Sequence, residues 1–332
     1  MRKVWSFVRG GALALIALST VAATVTPAAA TDAPLRISYA DWPGYVAWQI
    51  AIEKGWFKEA GVDIQFEWFD YSAAMEAFAA GKLDAINLTN GDTLGMGANG
   101  AKAIMIMVTD YSNGNDMIVA KPNIKTITDL KGKKVGLELG LVENLLIANG
   151  LKKAGLGDKD VEIVNVKTNE TPQVLSSPDI AAIGAWEPIA GAAMQASPGA
   201  KPLYTSADEP GLIYDIVAVT PASLASRKDD WAKVLKVWDR VVAYVNDPKT
   251  QPDALKIMAA RVAVDPADYK KFVDGTKLLT VAEGAKIFEK GDGFDSLYGS
   301  SKNADAFNVK AGVYATPQDI DSYIDPSIAQ GK

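Results

Sequence analysis

Residues 37–66 read ISYADWPGYVAWQIAIEKGWFKEAGVDIQF, and this stretch decides the fold class. Ile37 and Tyr39 alternate with polar neighbours as a strand does, and Asp41-Trp42-Pro43-Gly44 breaks the run. Val46, Ala47, Ile50 and Ala51 then recur at helical spacing, with Trp56 and Phe57 beyond Gly55, and Val62, Ile64 and Phe66 alternate again. Strand, loop, helix and strand is the unit of a parallel sheet covered by helices, so the chain is predicted to be α/β. Sheets of this kind hold small molecules at the loops beyond their strands' carboxyl ends. The first such loop here carries an acid and two aromatics, Asp41, Trp42 and Tyr45, and no base.

Working outward, Asp70-Tyr71-Ser72 reads as a second loop before a helix over 73–80 that Gly81 stops, followed by a strand over 83–88. Thr89-Asn90-Gly91-Asp92 is the third loop, 93–99 a glycine-diluted helix, 103–108 a strand and 109–116 a fourth loop. The order then recurs. Val135-Gly136-Leu137 is a strand, 138–143 its loop, and 144–153 a helix closed by Ala154-Gly155, as Ala60-Gly61 closed the earlier one. Val161-Glu162-Ile163 echoes Val62-Asp63-Ile64, Thr168–Thr171 takes the place of the Asp70 loop, and 180–185 is a strand before Trp186-Glu187-Pro188. Ordinary α/β punctuation would give some of this likeness; the matched order favours two similar lobes that present their strand-end loops to each other. The expected division is 1–30 leader, 31–115 first lobe, 116–217 second lobe and 218–332 return to the first lobe. In the return segment Trp231, Val234, Leu235, Trp238, Val241, Val242 and Val245 form a helical stripe, read as core. Helices near 252–261, 266–275 and 281–289 buttress the first lobe, and 291–314, rich in Gly, Ser, Asn and Asp, reads as a long loop able to reach the cleft.

The first thirty residues have a positive start (Arg2, Lys3, Arg9), an apolar middle and a small-residue site at Ala28-Ala29-Ala30. That is the pattern of a secretory signal peptide, with an N-terminal anchor as the alternative, and it sends the mature chain to the periplasm. Without those three bases the remainder holds 31 bases against 40 acids. An acidic, soluble, exported chain is a poor partner for nucleic acid or an anionic membrane, and it is read as a monomer. With no cysteine it has no disulfide and no lipid-bearing N-terminal Cys. With no histidine it lacks the commonest base, the commonest metal ligand and every Ser-His or Cys-His nucleophile. Binding without turnover, and without metal or cofactor, is the expectation.

The strand-end loops together contain ten acids (Asp41, Asp70, Asp92, Asp110, Asp116, Glu138, Glu143, Glu170, Glu187, Asp215), six aromatics (Trp42, Tyr45, Tyr71, Tyr111, Trp186, Tyr214) and no Lys or Arg. A cleft lined by a fraction of these prefers a cation: a desolvated cation over a ring gains up to about 2 kcal/mol, and a charge-assisted hydrogen bond roughly 1.5–3 kcal/mol. Helix N-termini can still hold an anion without any base. Asp, Asn, Ser and Thr before helices are also ordinary N-caps. Capping is the reading preferred for Ser72, Thr93 and Thr171; capping and ligand contact stay open for Asp41, Asp70, Trp42 and Tyr45; Trp186 and Glu187 lean to the ligand. Asp63, Asp116 and Glu143 are read as solvated or structural.

Five runs now point to a family: Trp42-Pro-Gly-Tyr45, Lys54-Gly55-Trp56-Phe57-Lys58-Glu59-Ala60-Gly61, Ala80-Gly81-Lys82-Leu83-Asp84-Ala85, Asp129-Leu130-Lys131-Gly132-Lys133-Lys134-Val135-Gly136 and Ala185-Trp186-Glu187-Pro188. In order and over nearly the whole mature chain they resemble the periplasmic substrate-binding proteins of the taurine, nitrate, sulfonate and thiamine-precursor ABC importers. The resemblance implies a type II two-lobed clamp that closes on a small ligand by hinge bending and delivers it to permease transmembrane subunits. It carries ligand contacts onto Trp42, Tyr45, Asp70, Tyr71, Asn90, Asp92, Asp110, Glu138, Trp186 and Glu187, and the acidic loops add Asp215. The charge departs from the family, whose sulfonate and nitrate binders bring basic or neutral donors to these places; this chain's arginines beyond the leader are Arg36, Arg227, Arg240 and Arg261. The subgroup associated with urea carboxylase is the nearer likeness, implying nitrogen uptake, with guanidinium suiting the acids better than neutral urea. A sulfonate held by backbone N–H groups, or a carboxylate-dependent pyrimidine-precursor synthase, are the alternatives.

Overall fold

Leu35–Tyr39 (β1), Ile64–Trp68 (β2), Ala85–Thr89 (β3) and Ile104–Ser112 (β4) form one sheet, and Asp116–Ala120 (β5), Lys134–Leu137 (β6), Glu162–Asn165 (β7), Ile180–Trp186 (β8) and Lys201–Thr205 (β9) form a second. The chain then returns to the first sheet with Tyr214–Val219 (β10) and Thr276–Leu278 (β11). This structure, a computed structural model, describes residues 33–331. The signal peptide read over 1–30 lies outside the described residues.

The first sheet runs β11-β4-β10-β3-β1-β2 and the second β7-β6-β8-β5-β9. β1 lies parallel between β2 and β3, and β6 parallel between β7 and β8, as expected of two βαβ lobes. Each sheet also takes an antiparallel strand: β10 between β3 and β4, and β5 between β8 and β9. These are the strands by which the chain passes between lobes. One passage is the short turn 113–115 between β4 and β5, the other the segment 206–213 before β10. All of β10 pairs in the first sheet, so residues 214–217, assigned to the second lobe from sequence, belong with the first.

Helices fill the connections. Pro43–Val46 (α1), Trp48–Glu53 (α2) and Trp56–Glu59 (α3) link β1 to β2, Tyr71–Ala79 (α4) links β2 to β3, and Asn90–Ala98 (α5) follows β3. In the second lobe Val142–Lys153 (α6), Thr171–Leu175 (α7) and Ile189–Ala196 (α8) follow β6, β7 and β8. The return segment adds Pro221–Ser226 (α9), Lys228–Asn246 (α10), Gln251–Arg261 (α11), Pro266–Asp274 (α12), Val281–Ile287 (α13) and Leu297–Ala311 (α14). The α10 stripe is core: Trp231, Val234, Leu235, Trp238, Val241, Val242 and Val245 are all buried. Trp238 packs against Trp48 with centroids 4.6 Å apart and planes tilted by 47°, and each indole N–H has a partner, Leu279 O at 2.8 Å for Trp238 and Asn87 Oδ1 at 3.2 Å for Trp48. Burying such rings stabilises the lobe only because those N–H groups stay bonded.

Three local readings are corrected. The loop expected over 291–314 contains α14. Its glycines and serines serve close packing: a Cβ on Gly299 would lie 2.2 Å from Gly293 O, and Ser300 and Ser301 are buried. The fourth loop is mostly strand, since β4 runs on through Asp110 to Ser112 and β5 begins at Asp116. α5 starts at Asn90 behind an N-cap at Thr89, whose Oγ1 accepts from Asp92 N at 3.2 Å, so Thr93 is no cap and bonds back to Thr89 O instead. Likewise Thr171 bonds Thr168 O, and α4 is preceded by Asp70 rather than Ser72.

Candidate functional site

The strand order brings the acids to one place beside the passage between the lobes. Asp110 near the end of β4 and Asp215 near the start of β10 are paired across the sheet, and Asp116 opens β5 just beyond the turn. Aromatic donors meet them on the first lobe: Trp42 Nε1 donates to Asp110 Oδ1 at 2.9 Å, and the Tyr45 hydroxyl donates to Asp215 Oδ1. Each pairing uses one carboxylate oxygen. Asp110 Oδ2, Asp215 Oδ2, Asp116 Oδ2 and both oxygens of Glu143 are buried and find no donor among the described residues, apart from a proton that Asp110 and Asp215 can share. Asp110 and Glu143 are 0% exposed, Asp215 2% and Asp116 3%.

A carboxylate stripped of water without a cation resists ionisation. Burial pushes Asp41, Asp92 and Asp110 up to about 6 and Asp116 to about 7, from an ordinary 3.8. Asp215 and Glu143 are raised well above the carboxylate range, by burial first and then by neighbouring carboxylates: Asp110 and Asp116 for Asp215; Asp116, Asp92 and Glu138 for Glu143. The pair on β4 and β10 is therefore held to a single charge, with one proton shared between Asp110 and Asp215. Among the described residues, none of the leading influences on these six acids is a Lys or Arg.

Asp116 and Asp215 line a small cavity together with Asp41, Trp42, Tyr45, Tyr71, Thr89, Val142 and Trp186, so both lobes contribute to its walls. Its free volume is about that of one water molecule. A solute must be a few heavy atoms in size or part the lobes to enter. The lobes meet around it through the Trp186 indole N–H, which donates to Asp41 Oδ1 at 3.1 Å, and through the Tyr71 and Trp186 rings, centroids 5.2 Å apart. Outside it lies the cleft mouth, where Asn169 Nδ2 donates to Asp70 Oδ2 at 3.2 Å across the gap.

Of the residues chosen from sequence, Trp42, Tyr45, Tyr71, Asp110, Trp186 and Asp215 converge on this centre. Asp92 stands behind it, accepting the Tyr71 hydroxyl at 2.7 Å and facing the backbone N–H of Val142 at the start of α6. Asp70 and Glu138 line only the mouth, and Glu138 accepts from Thr168 N at 3.4 Å and its hydroxyl at 3.3 Å. Asn90 is a structural bridge, donating to Ser300 and Ser301 and accepting from Tyr214 N. Glu187 closes the first turn of α8, accepting Gly191 N at 2.8 Å, and does not line the cavity. Asp116 and Glu143, read as solvated or structural, are the most deeply buried acids of the second lobe's share of the site. Lys167, one residue before the Thr168 loop, lines the mouth and is exposed, so the mouth has a base that the loop reading left out.

Gly44 in α1 holds this arrangement together by lacking a side chain. A Cβ there would lie 2.1 Å from Asp110 Oδ2. Gly44→Ala is expected to force the Asp110 carboxylate off the Trp42 indole and destabilise the fold by about 1–3 kcal/mol, the range for overpacking. Thermal denaturation reads this, and an unchanged midpoint would mean that Asp110 is not held there.

Comparison with known proteins now gives the family. Residues 42–251 match the family described as NMT1/THI5 like. The chain belongs to that family. A protein of Brucella abortus (strain 2308), provisionally named a binding protein, is 28% identical over 304 residues, covering 89% of this chain and 91% of that protein. Among solved structures, the periplasmic aliphatic sulphonate binding protein SsuA from Escherichia coli superposes with a TM-score of 0.71 at 19% identity, over 88% of this chain and 92% of that one. The desulfurization enzyme DSZB superposes with a TM-score of 0.61 at 14% identity, over 90% and 98%. The fold is thus the two-lobed, type II fold of periplasmic binding proteins, which was the expected α/β architecture, and it serves binding proteins and at least one enzyme.

Proposed function

We propose that this NMT1/THI5-like protein is the periplasmic solute receptor of an ABC importer, and that it closes its lobes on a small nitrogen-rich cation, guanidinium first among them, for delivery to a permease. The observation that carries the charge of the ligand is the set of buried carboxylate oxygens on Asp110, Asp116 and Asp215 that find no donor among the described residues beyond a shared proton. A planar cation with N–H donors on every edge supplies what those oxygens lack, and the rings of Trp42, Tyr45, Tyr71 and Trp186 around the cavity suit its faces. Asp41, Asp92 and Asp110 orient and tune this shell, and Asp70, Glu138 and Asn169 form the entrance.

Sulfonate is the second reading, because the SsuA relative is named for it. An anion held without bases needs free N–H groups at helix starts. Here the start of α6 already faces the Asp92 carboxylate, and the α5 donor Asp92 N is taken by Thr89. An anion in the cavity would also meet Asp116 and Asp215. Catalysis, which the fold of DSZB permits, would have to proceed without His or Cys.

Titration calorimetry with guanidinium, urea, taurine and nitrate tests the choice. Guanidinium is expected to bind and taurine and nitrate to give no heat of binding. Taurine binding with silence from guanidinium would overturn the cation reading and leave the receptor role standing.

A further inference from the structure

We infer that Asp116, which lines the cavity, and Glu143 behind it form the second lobe's half of the cation site and gate its closure: carboxylates on opposite lobes repel until a bound cation, or protons, let them meet. The inference rests on the cation reading for the identity of the ligand, but the gating itself does not.

The geometry divides the charge between the lobes. The first lobe brings Asp110 on β4, Asp215 on β10, Asp92 on α5 and Asp41 after β1; the second brings Asp116 on β5, Glu143 on α6 and, nearer the mouth, Glu138. Glu143 sits in the first turn of α6 against β8, where Gly184 leaves it room: a Cβ on Gly184 would lie 2.7 Å from Glu143 Cβ. The charged groups that act most strongly on Glu143 are acids: β5 gives Asp116, α5 gives Asp92, and the turn before α6 gives Glu138. Around Asp116 the acids are Asp110 and Asp92, with the Ser112 hydroxyl as hydrogen-bond partner; Asp215 is in turn raised by Asp116. A salt bridge would hold the lobes shut at all times. Like charges on both walls instead make closure conditional on what arrives between them. The two Glu143 oxygens have no hydrogen-bond partner among the described residues at 0% exposure, so a proton or an arriving cation is what can satisfy them. Burial and these neighbours push Asp116 up to about 7 and Glu143 well above the usual carboxylate range, which makes protons a substitute for the cation.

Small-angle scattering of the full protein without ligand, at pH 8 and pH 5, reads the gate. The radius of gyration is expected to fall at pH 5 to the value seen at pH 8 with guanidinium. Glu143→Gln, which keeps the shape and removes the charge, is expected to be compact at both pH values and to bind guanidinium about ten- to a hundredfold more weakly, as loss of a charge-assisted partner implies. Asp116→Asn repeats the test should the first variant fail to fold. Equal radii for the wild-type protein at the two pH values, or a variant with wild-type pH response and affinity, overturn the gate. A pH response that the variant abolishes, in a protein that ignores guanidinium, sustains the gate and removes the ligand instead.

Discussion

Asp215→Asn is expected to weaken guanidinium binding by about a hundredfold while raising the thermal midpoint of the ligand-free protein. Both effects come from one proton. In the free protein the Asp110–Asp215 pair holds it, because burial and the neighbouring Asp116 make a second charge costly. A cation can displace that proton and gain the ionised pair, and the charge-assisted bonds so formed are worth roughly 1.5–3 kcal/mol each. Asparagine keeps the acceptor for the Tyr45 hydroxyl and cannot ionise. Its amide can donate toward Asp110 across the β4–β10 pairing, as the shared proton does in the wild-type pair, and it does so at any pH. The variant thus avoids the cost of either losing that proton or burying two adjacent charges. Calorimetry in two buffers of different ionisation enthalpy adds a readout that structural damage would not mimic: the wild-type protein releases protons on binding and the variant releases fewer. Wild-type affinity in a folded Asp215→Asn protein would remove Asp215 from the site.

The two-lobed plan was legible because each element carried its own period. The alternation at 37–39 and 62–66, the stripe of α10 and the repeated order of elements needed no long-range information. The acids and rings beside the cavity could be read from the loops, but the base at the mouth, Lys167, could not, because it stands one residue before the Thr168 loop. Which acids matter was not legible either, for a reason visible in β4. Asp110 looked like a loop residue because Thr109–Asp116 is polar, yet the strand continues through it, since β10 and β11 pair with it on either side. Tertiary pairing overrode local composition. Asp116 and Glu143 look in sequence like any acid at a strand start or in a helix's first turn; only the folded chain buries them without a partner. Asn90 failed in the opposite direction. Its partners Ser300 and Ser301 lie 210 residues away in sequence, on a helix whose glycines and serines resemble a loop. Glu187 went the same way, its loop position serving the α8 turn.

Stability of the ligand-free protein is expected to increase as pH falls from 8 to about 5, opposite to proteins whose buried carboxylates are paired with bases. Asp41, Asp92 and Asp110 at about 6 and Asp116 at about 7 bind protons more tightly when folded than at the ordinary 3.8 of an unfolded chain. Such groups contribute stability that is complete below about pH 4 and is lost as pH rises through 6 to 7. One group moved from 3.8 to about 6 is worth about 3 kcal/mol by that linkage, and because the acids titrate together their effects do not simply add. An opposing set begins lower: Asp129, Asp160, Asp230, Asp253, Asp292 and Glu283 are all held below their usual values by hydrogen bonds or ion pairs, and they lose stability on acidification. Those groups lie at or near the surface, where solvent and salt leave each contribution small. The two sets together place the maximum near pH 5. Scanning calorimetry from pH 4 to 8.5 checks it, and a midpoint that climbs steadily from 5 to 8 would mean that the cluster is neutralised in solution. Millimolar guanidinium should raise the midpoint at pH 8 more than at pH 5, where protons already occupy the carboxylates, and sodium chloride at equal ionic strength should not. A cation that must compete with protons for buried oxygens binds best where protons are scarce, so the pH that most destabilises the empty protein is the one at which its ligand stabilises it most.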